Sequence, residues 1–170
     1  TYLTRLTDRK ELGCYAFAEP SAGSDAGAIG TTAVADGDHF VINGHKRFVT
    51  SGRQARVAIV YALTDPSRGR EGLSAFIVDT DTPGFKVTPI ENMGKLNTTL
   101  TYYEDVRVPV ANLVGEENRG WHLITNQLNH ERVTLCSSGI VERQLGDVTN
   151  WAKQTTLADW LARLERLHPK

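Results

Sequence analysis

The chain has 170 residues, of which 40% are hydrophobic, enough for one core and the edge of a second. Lys plus Arg number 19 and Asp plus Glu 20, a net charge of −1, so there is no electrostatic footprint for nucleic acid or an anionic membrane surface. The longest apolar run, "VAIVYAL" at 57–63, is too short to span a bilayer, and no charged-then-apolar signal segment opens the chain.

The first stretch, "TYLTRLTDRKELG", begins in mid-pattern. Leu3, Leu6 and Leu12 read as the end of a helix, and with no initiator Met the chain reads as a piece of a longer protein. From about 14 to 110 the pattern is β, with six or seven short strands separated by Pro- and Gly-containing turns. That spacing predicts an antiparallel sandwich or barrel. Asn43-Gly44, between "HFVI" and "HKRFVT", predicts a type I′ hairpin, because both residues tolerate positive φ. Asp36-Gly37-Asp38 is a second break.

After Val114 the period changes. Leu123, Ile124, Leu128, Leu135, Ile140, Leu145 and Val148 recur at helical spacing, predicting one helix over about 120–152. At 1.5 Å per residue it would run roughly 50 Å, longer than the barrel before it, so part of its apolar face should pack against something outside this chain. Ser137, Ser138 and Gly139 would permit close helix–helix approach, and Leu157, Trp160, Leu161 and Leu164 suggest a further amphipathic turn or two. The 5 His are scattered and give no metal-ligand spacing. Cys14 and Cys136 suggest no disulfide framework and read as reduced thiols of a cytoplasmic protein.

Two constellations carry chemistry. In "CYAFAEPSAGSD" (14–25) an apolar strand runs into Glu19-Pro20, where proline ends the ladder, and "SAGSD" exposes backbone N–H groups and a hydroxyl. In "NGHKRFVTSG" (43–52), Phe48 and Thr50 stand two apart on one strand face, a ring and a hydroxyl suited to a planar heterocycle. Either alone is also what an ordinary turn, or a core Phe beside a strand Thr, would give.

Their order and spacing, together with "GLSAFIVDTDTPGFKV", "MG", "YYEDVRVPVANLVGEENRGW" and a helix bearing "NHERV", resemble the acyl-CoA dehydrogenase family over nearly the whole chain up to about Gln154. The resemblance implies an α+β fold: the end of an N-terminal helical domain (1–12), a middle β-barrel domain (13–115), and the truncated start of a C-terminal helical domain (116–170). It implies that FAD lies along Tyr15, Phe17, Ala18, Glu19 and Ser24 and against Phe48, Val49 and Thr50. Ser24 would also touch the coenzyme A moiety, and Asn129, His130 and Arg132 would line the thioester pocket. The implied reaction is α,β-dehydrogenation of an acyl-CoA: a Glu takes the α-proton while hydride leaves the β-carbon for flavin N5. Most members place that base far downstream, in a part of the C-terminal domain outside this chain; Glu131 stands where some members carry it instead, although many carry a Glu there without using it so, and a Glu131–Arg132 pair on a solvated face is the plainer reading. An electron-transfer flavoprotein or similar acceptor and a homo- or hetero-oligomer are the implied partners.

There are departures from the family pattern. Ala18 replaces a common Thr, Phe48 a common Trp, and "KLNTTL" keeps only hydroxyls where Arg and Ser are usual. The "RxxFG" pattern that helps hold the FAD diphosphate across a subunit boundary does not follow the helix, and the resemblance lapses after about 155. Two other readings share these motifs: a non-catalytic partner subunit, and an acyl-CoA oxidase or flavin monooxygenase. "NHERVTLCSSG" is also similar to members that act as unequal pairs on steroid side-chain thioesters. An unrelated oligonucleotide-binding barrel would need a basic groove with exposed aromatics, which balanced charge and 8% aromatic content oppose.

Overall fold

The computed structural model describes residues 1–94, 97–135, 137–156, 159–160, 162–163 and 166, the side chains of 134 and 135 excepted. The chain forms two compact units, Thr1–Asn126 and Gln127–Lys170. The first holds a short helix α1 (Tyr2–Thr7) and seven strands: β1 (Gly13–Ala16), β2 (Thr32–Asp36), β3 (His39–Thr50), β4 (Val57–Leu63), β5 (Leu73–Asp79), β6 (Phe85–Ile90) and β7 (Thr98–Pro109). α1 is tied to β5 through Asp79, which accepts from Tyr2 Oη at 2.8 Å and from the Arg5 guanidinium at 2.5 Å.

All seven strands belong to one sheet. Among the described residues β6 pairs only with β7, whereas the outer edge of β5 is met by Leu113 and Val114, so the strands curl into a half-barrel that does not close. The concave side is filled by Ala16, Ile42, Val60, Phe76, Val78, Tyr103 and Val106, all buried, with Phe40 and Phe76 rings 5.0 Å apart. The α+β class holds, but the sheet is mixed and not wholly antiparallel. β1 lies parallel to β4, with Cys14 opposite Ala58, and β2 joins β4 in parallel at Thr32. The β2–β3 hairpin lies between β1 and β4 in sequence, which gives the chain room to return in the same direction, as a parallel pair requires.

The hairpin expected at Asn43-Gly44 is not there. β3 runs unbroken through both residues, and the turn is at Asp36-Gly37-Asp38, where β2 reverses into β3. Asn43 faces a bulge in β7: Asp105 has φ +52°, its amide donates to Asn43 Oδ1 at 2.9 Å, and Asn43 Nδ2 donates back to Asp105 at 3.0 Å. Gly44 (φ +146°) is required for another reason. A Cβ there would stand 2.5 Å from Thr31 Oγ1 and 2.8 Å from Thr31 Cα. Asn-Gly therefore answers a close backbone approach and a bulge, both of which use the same residue types as a tight turn.

The single helix expected over 120–152 is two helices, α2 (Gly120–Leu135) and α3 (Ser138–Gln154), with Ser137 extended at φ −62°, ψ 125°. Serine hydroxyls compete for backbone groups and Gly139 adds a poor helix former, so the helix breaks where small residues promised close packing. α2 starts at Gly120, where a Cβ would meet the Leu73 carbonyl oxygen at 2.8 Å, and buries Ile124. In the second unit the rings of Trp151 and Trp160 meet edge to face at 5.0 Å, and Leu157, Leu161 and Leu164 lie outside the described residues. No helix among the described residues is long and apolar enough to cross a membrane.

Gly44→Ala forces a side chain into Thr31 at an unfavourable φ. It should destabilise the fold by about 2–3 kcal/mol, read as a fall in the midpoint of chemical denaturation.

Candidate cofactor and thioester site

β3 alternates inward and outward, and its inward positions are Phe40, Ile42, Gly44 and Lys46. That phase carries a lysine into the core. Its side chain is 0% exposed, and Nζ donates to Glu19 Oε1 at 2.8 Å and to the Phe17 carbonyl at 3.3 Å. Glu19 is saturated: Oε2 accepts the Gly30 amide at 2.8 Å, and Oε1 also accepts the Thr31 amide at 3.1 Å and its hydroxyl at 2.6 Å. Desolvation pushes the Lys46 ammonium down to about 8 against the pull of Glu19. Burial acts to raise the Glu19 carboxyl, but Lys46 and the donors from Thr31 and Gly30 together hold it below the ordinary glutamate value.

One residue beyond Lys46 the phase slips. Lys46 pairs with Thr101 but Val49 with Thr99, so β3 carries one extra residue there. Phe48 sits in this bulge with φ +58°, an uncommon conformation for a bulky side chain. Without the bulge Phe48 would point inward. With it, Val49 is buried and Arg47, Phe48 and Thr50 all face out, Phe48 with 59% of its surface exposed. The Arg47 guanidinium lies 4.6 Å over the Phe48 ring. Arg47 also borders an open groove of about 450 Å³ with Pro20, His45, Ile90, Leu100 and Tyr102.

The Arg47 amide donates to the Ala18 carbonyl at 2.8 Å and so joins β3 to the segment leaving β1. Tyr15 packs on Phe17 and on Tyr61, with ring centroids 5.1 and 5.4 Å apart. Tyr15, Phe17 and Ala18 are half-buried at the surface. Glu19 and Ala22 exchange two backbone hydrogen bonds of 3.1 Å, and this tight turn leaves Gly23 and Ser24 exposed. Asp25 accepts from the Gly27 amide at 3.2 Å, and a Cβ on Gly27 would stand 3.3 Å from the Arg70 Cβ, which brings the "GREG" loop beside the Ser24 turn.

The sheet therefore brings Tyr15, Phe17, Ala18 and Glu19 together with Phe48, Val49 and Thr50. The Glu19 side chain, however, is committed inward to Lys46, and Val49 is buried, its carbonyl accepting from Thr99 Oγ1 at 2.8 Å. Asn129, His130, Glu131 and Arg132 are exposed on α2 within the second unit. Reading the residues one by one missed Lys46. The signal was present in the strand period, which puts it in phase with Phe40 and Ile42, but a hairpin placed at Asn43-Gly44 hid that phase.

An outward ring, the Thr50 hydroxyl and the Ala18 amide, which donates to no group among the described residues, suit a planar ligand with acceptor atoms on its edge. An isoalloxazine fits that donor set. These features sit on a known scaffold: the chain belongs to the acyl-CoA dehydrogenase family, and residues 14–106 match the model of the acyl-CoA dehydrogenase middle domain. It is 42% identical over 167 residues to acyl-CoA dehydrogenase FadE26 of Mycobacterium tuberculosis, an alignment covering 91% of this chain and 42% of the relative. Among solved structures it is similar to a variant of the Tcur3481-Tcur3483 steroid ACAD, with TM-score 0.87 and 40% identity over 95% of this chain and 44% of that one. It is also similar to butyryl-CoA dehydrogenase from Megasphaera elsdenii, with TM-score 0.86 and 34% identity over 91% of this chain and 42% of that one. The chain thus spans less than half the length of these relatives.

Lys46 gives the fold a distinctive pH response. Its folded value, about 8, lies below the ordinary lysine value of 10.5, so between those values the unfolded chain binds the extra proton and the Lys46 contribution to stability rises with pH. Cys14, Tyr61 and Tyr103, all raised by burial, act in the opposite sense at alkaline pH. Comparison with Lys46→Met removes that background. The unfolding free energy of the parent minus that of the variant should grow from pH 8 to pH 10 in denaturant titrations.

Proposed function

We propose that this chain is the flavin- and thioester-binding part of an FAD-dependent acyl-CoA dehydrogenase. The observation that carries the reading is the β3 bulge. It turns Phe48 and Thr50 outward beside the Ala18 amide, on a scaffold whose family members act on acyl-CoA thioesters. Phe48 supplies a face for the ring, Thr50 a hydroxyl at its edge and the Tyr15–Ala18 segment the opposing backbone; when bound, FAD supplies the acceptor for the hydride that leaves the substrate β-carbon. Ser24, exposed in its turn beside the Arg70 loop, is placed to meet the coenzyme A moiety.

Proton abstraction falls to a carboxylate. Within this chain we assign it to Glu131, with Asn129, His130 and Arg132 lining the thioester pocket. Glu131 is exposed on α2, and an exposed carboxylate is a weak base toward a carbon acid. It becomes competent when bound substrate and the remainder of the protein exclude water around it and hydrogen bonds polarise the thioester carbonyl. Exposed Val141, Leu145 and Val148, three and four residues apart on α3, support assembly with further helices of the protein or of a second subunit. An electron-transfer flavoprotein, or a similar one-electron acceptor, is the partner that would reoxidise the enzyme.

Two measurements test this reading. FAD fluorescence should be quenched saturably by the protein, and Phe48→Ala should weaken that binding about tenfold. In the full-length protein, Glu131→Gln should retain FAD but slow its reduction by acyl-CoA about a hundredfold or more. Flavin binding with undiminished reduction would move the base to another residue, whereas a folded protein that binds no FAD would favour the non-catalytic partner-subunit reading, in which Ala18 marks a lost cofactor contact.

A further inference from the structure

Lys46 meets two groups, and only one of them is its counter-ion. The second, the Phe17 carbonyl, belongs to the surface segment that faces the proposed flavin site. In a trans peptide the C=O and the following N–H point in opposite directions. A Phe17 carbonyl turned inward to the buried ammonium therefore turns the Ala18 N–H outward. The other side of Ala18 is fixed as well, because its carbonyl accepts from the Arg47 amide at 2.8 Å. Both peptide planes around Ala18 are thus set by consecutive residues of β3, Lys46 from beneath and Arg47 from beside.

The Ala18 amide itself donates to no group among the described residues, and Ala18 is half-buried and open to the surface. An outward amide held at both flanking peptides is a preorganised donor, since little of its orientation remains to be fixed when an acceptor arrives. Among the described residues Glu19 is the only charged group that Lys46 faces, and Glu19 is anchored by Gly30 and Thr31, so the ammonium cannot shift without unseating the carboxylate. Resting on the flavin reading, we propose that Lys46 is a positioning residue: through the Phe17 carbonyl it aims the Ala18 N–H at an acceptor atom on the edge of the bound flavin. The backbone thereby supplies, at a position holding alanine, a hydrogen bond that needs no hydroxyl side chain.

The test uses Lys46→Met and the double variant Lys46→Met/Glu19→Gln, which removes both buried charges and leaves no orphan carboxylate. Near-ultraviolet circular dichroism establishes folding, and uniform ¹⁵N labelling follows the Ala18, Arg47 and Thr50 amides during an FAD titration of the full chain. In the parent the Ala18 resonance should move on FAD addition. In the folded double variant that movement should vanish and FAD should bind about tenfold more weakly, while the Thr50 amide still responds. A folded double variant that keeps the Ala18 response and binds FAD within about twofold of the parent overturns the proposal. If the parent itself binds no FAD, the flavin reading has failed, and the positioning role is judged by hydrogen exchange. Loss of Arg47 amide protection in the double variant, reporting release of the Ala18 carbonyl, upholds it, and unchanged protection overturns it.

Discussion

The Lys46–Glu19 pair is the constraint on which the arrangement of the first unit depends. Both side chains are almost completely removed from water, a state that costs several kcal/mol per ion unless every donor and acceptor is met. Here hydrogen bonds reach the pair from three separate stretches: the segment leaving β1, the Gly30-Thr31 link into β2, and β3 itself. Removing either partner would strand the other, typically at about 3–5 kcal/mol. The pair is therefore less a source of net stability than a device of registration. It allows one placement of the Glu19–Pro20 turn on β3 and penalises the alternatives. Gly44 belongs to the same arrangement, because Thr31 can reach Glu19 only if β3 passes close enough to exclude a Cβ at 44.

Register explains why an aromatic ring is exposed. A strand read with period two keeps one set of side chains in the core, and each inserted residue transfers the later positions to the other face. The β3–β7 pair carries two such insertions. One is in β7 beside Asn43, and the other is in β3 at Arg47–Phe48. The second leaves Lys46 inside and Phe48 outside although they are two apart. The cost is a phenylalanine at positive φ and a largely exposed ring, neither of which the core needs. Strain of this kind, kept beside an outward amide and an exposed hydroxyl, is consistent with the ligand surface proposed above.

Much of this was legible in the sequence, and the exceptions have two causes, residue types that serve two geometries and pairings between distant stretches. The β-rich stretch, the helical tail and the turn after Glu19-Pro20 all arise from period, proline and small-residue signals, whereas the outward turn of Phe48 depends on a bulge that the strand period does not record. The misreadings fell where one residue type serves two geometries. Asn-Gly is the strongest short hairpin signal, yet here Asn43 clasps Asp105 across a bulge and Gly44 makes room for Thr31, a residue 13 positions earlier. Ser137-Ser138-Gly139 suits close helix packing and helix breaking alike, and the break prevailed. The parallel placement of β1 on β4 depends on partners far apart in sequence, which no local pattern records. Lys46 was hidden by the first of these errors, since a supposed turn reset the count that would have put it in the core.

The two halves of the proposed chemistry differ in how much of their environment this chain supplies. The ring-facing elements, from Tyr15 to Ala18 and from Phe48 to Thr50, are fixed by one sheet, one buried ion pair and one bulge, all within the first unit. Glu131 has no such setting. It stands on α2 among exposed neighbours, and α3 turns Val141, Leu145 and Val148 to solvent. A carboxylate that must act as a base toward carbon depends on desolvation, and desolvation is a property of the groups packed around it. On the proposed reading, cofactor recognition would be local to this sheet, whereas the strength of a base at Glu131 would come from surfaces that cover the helices.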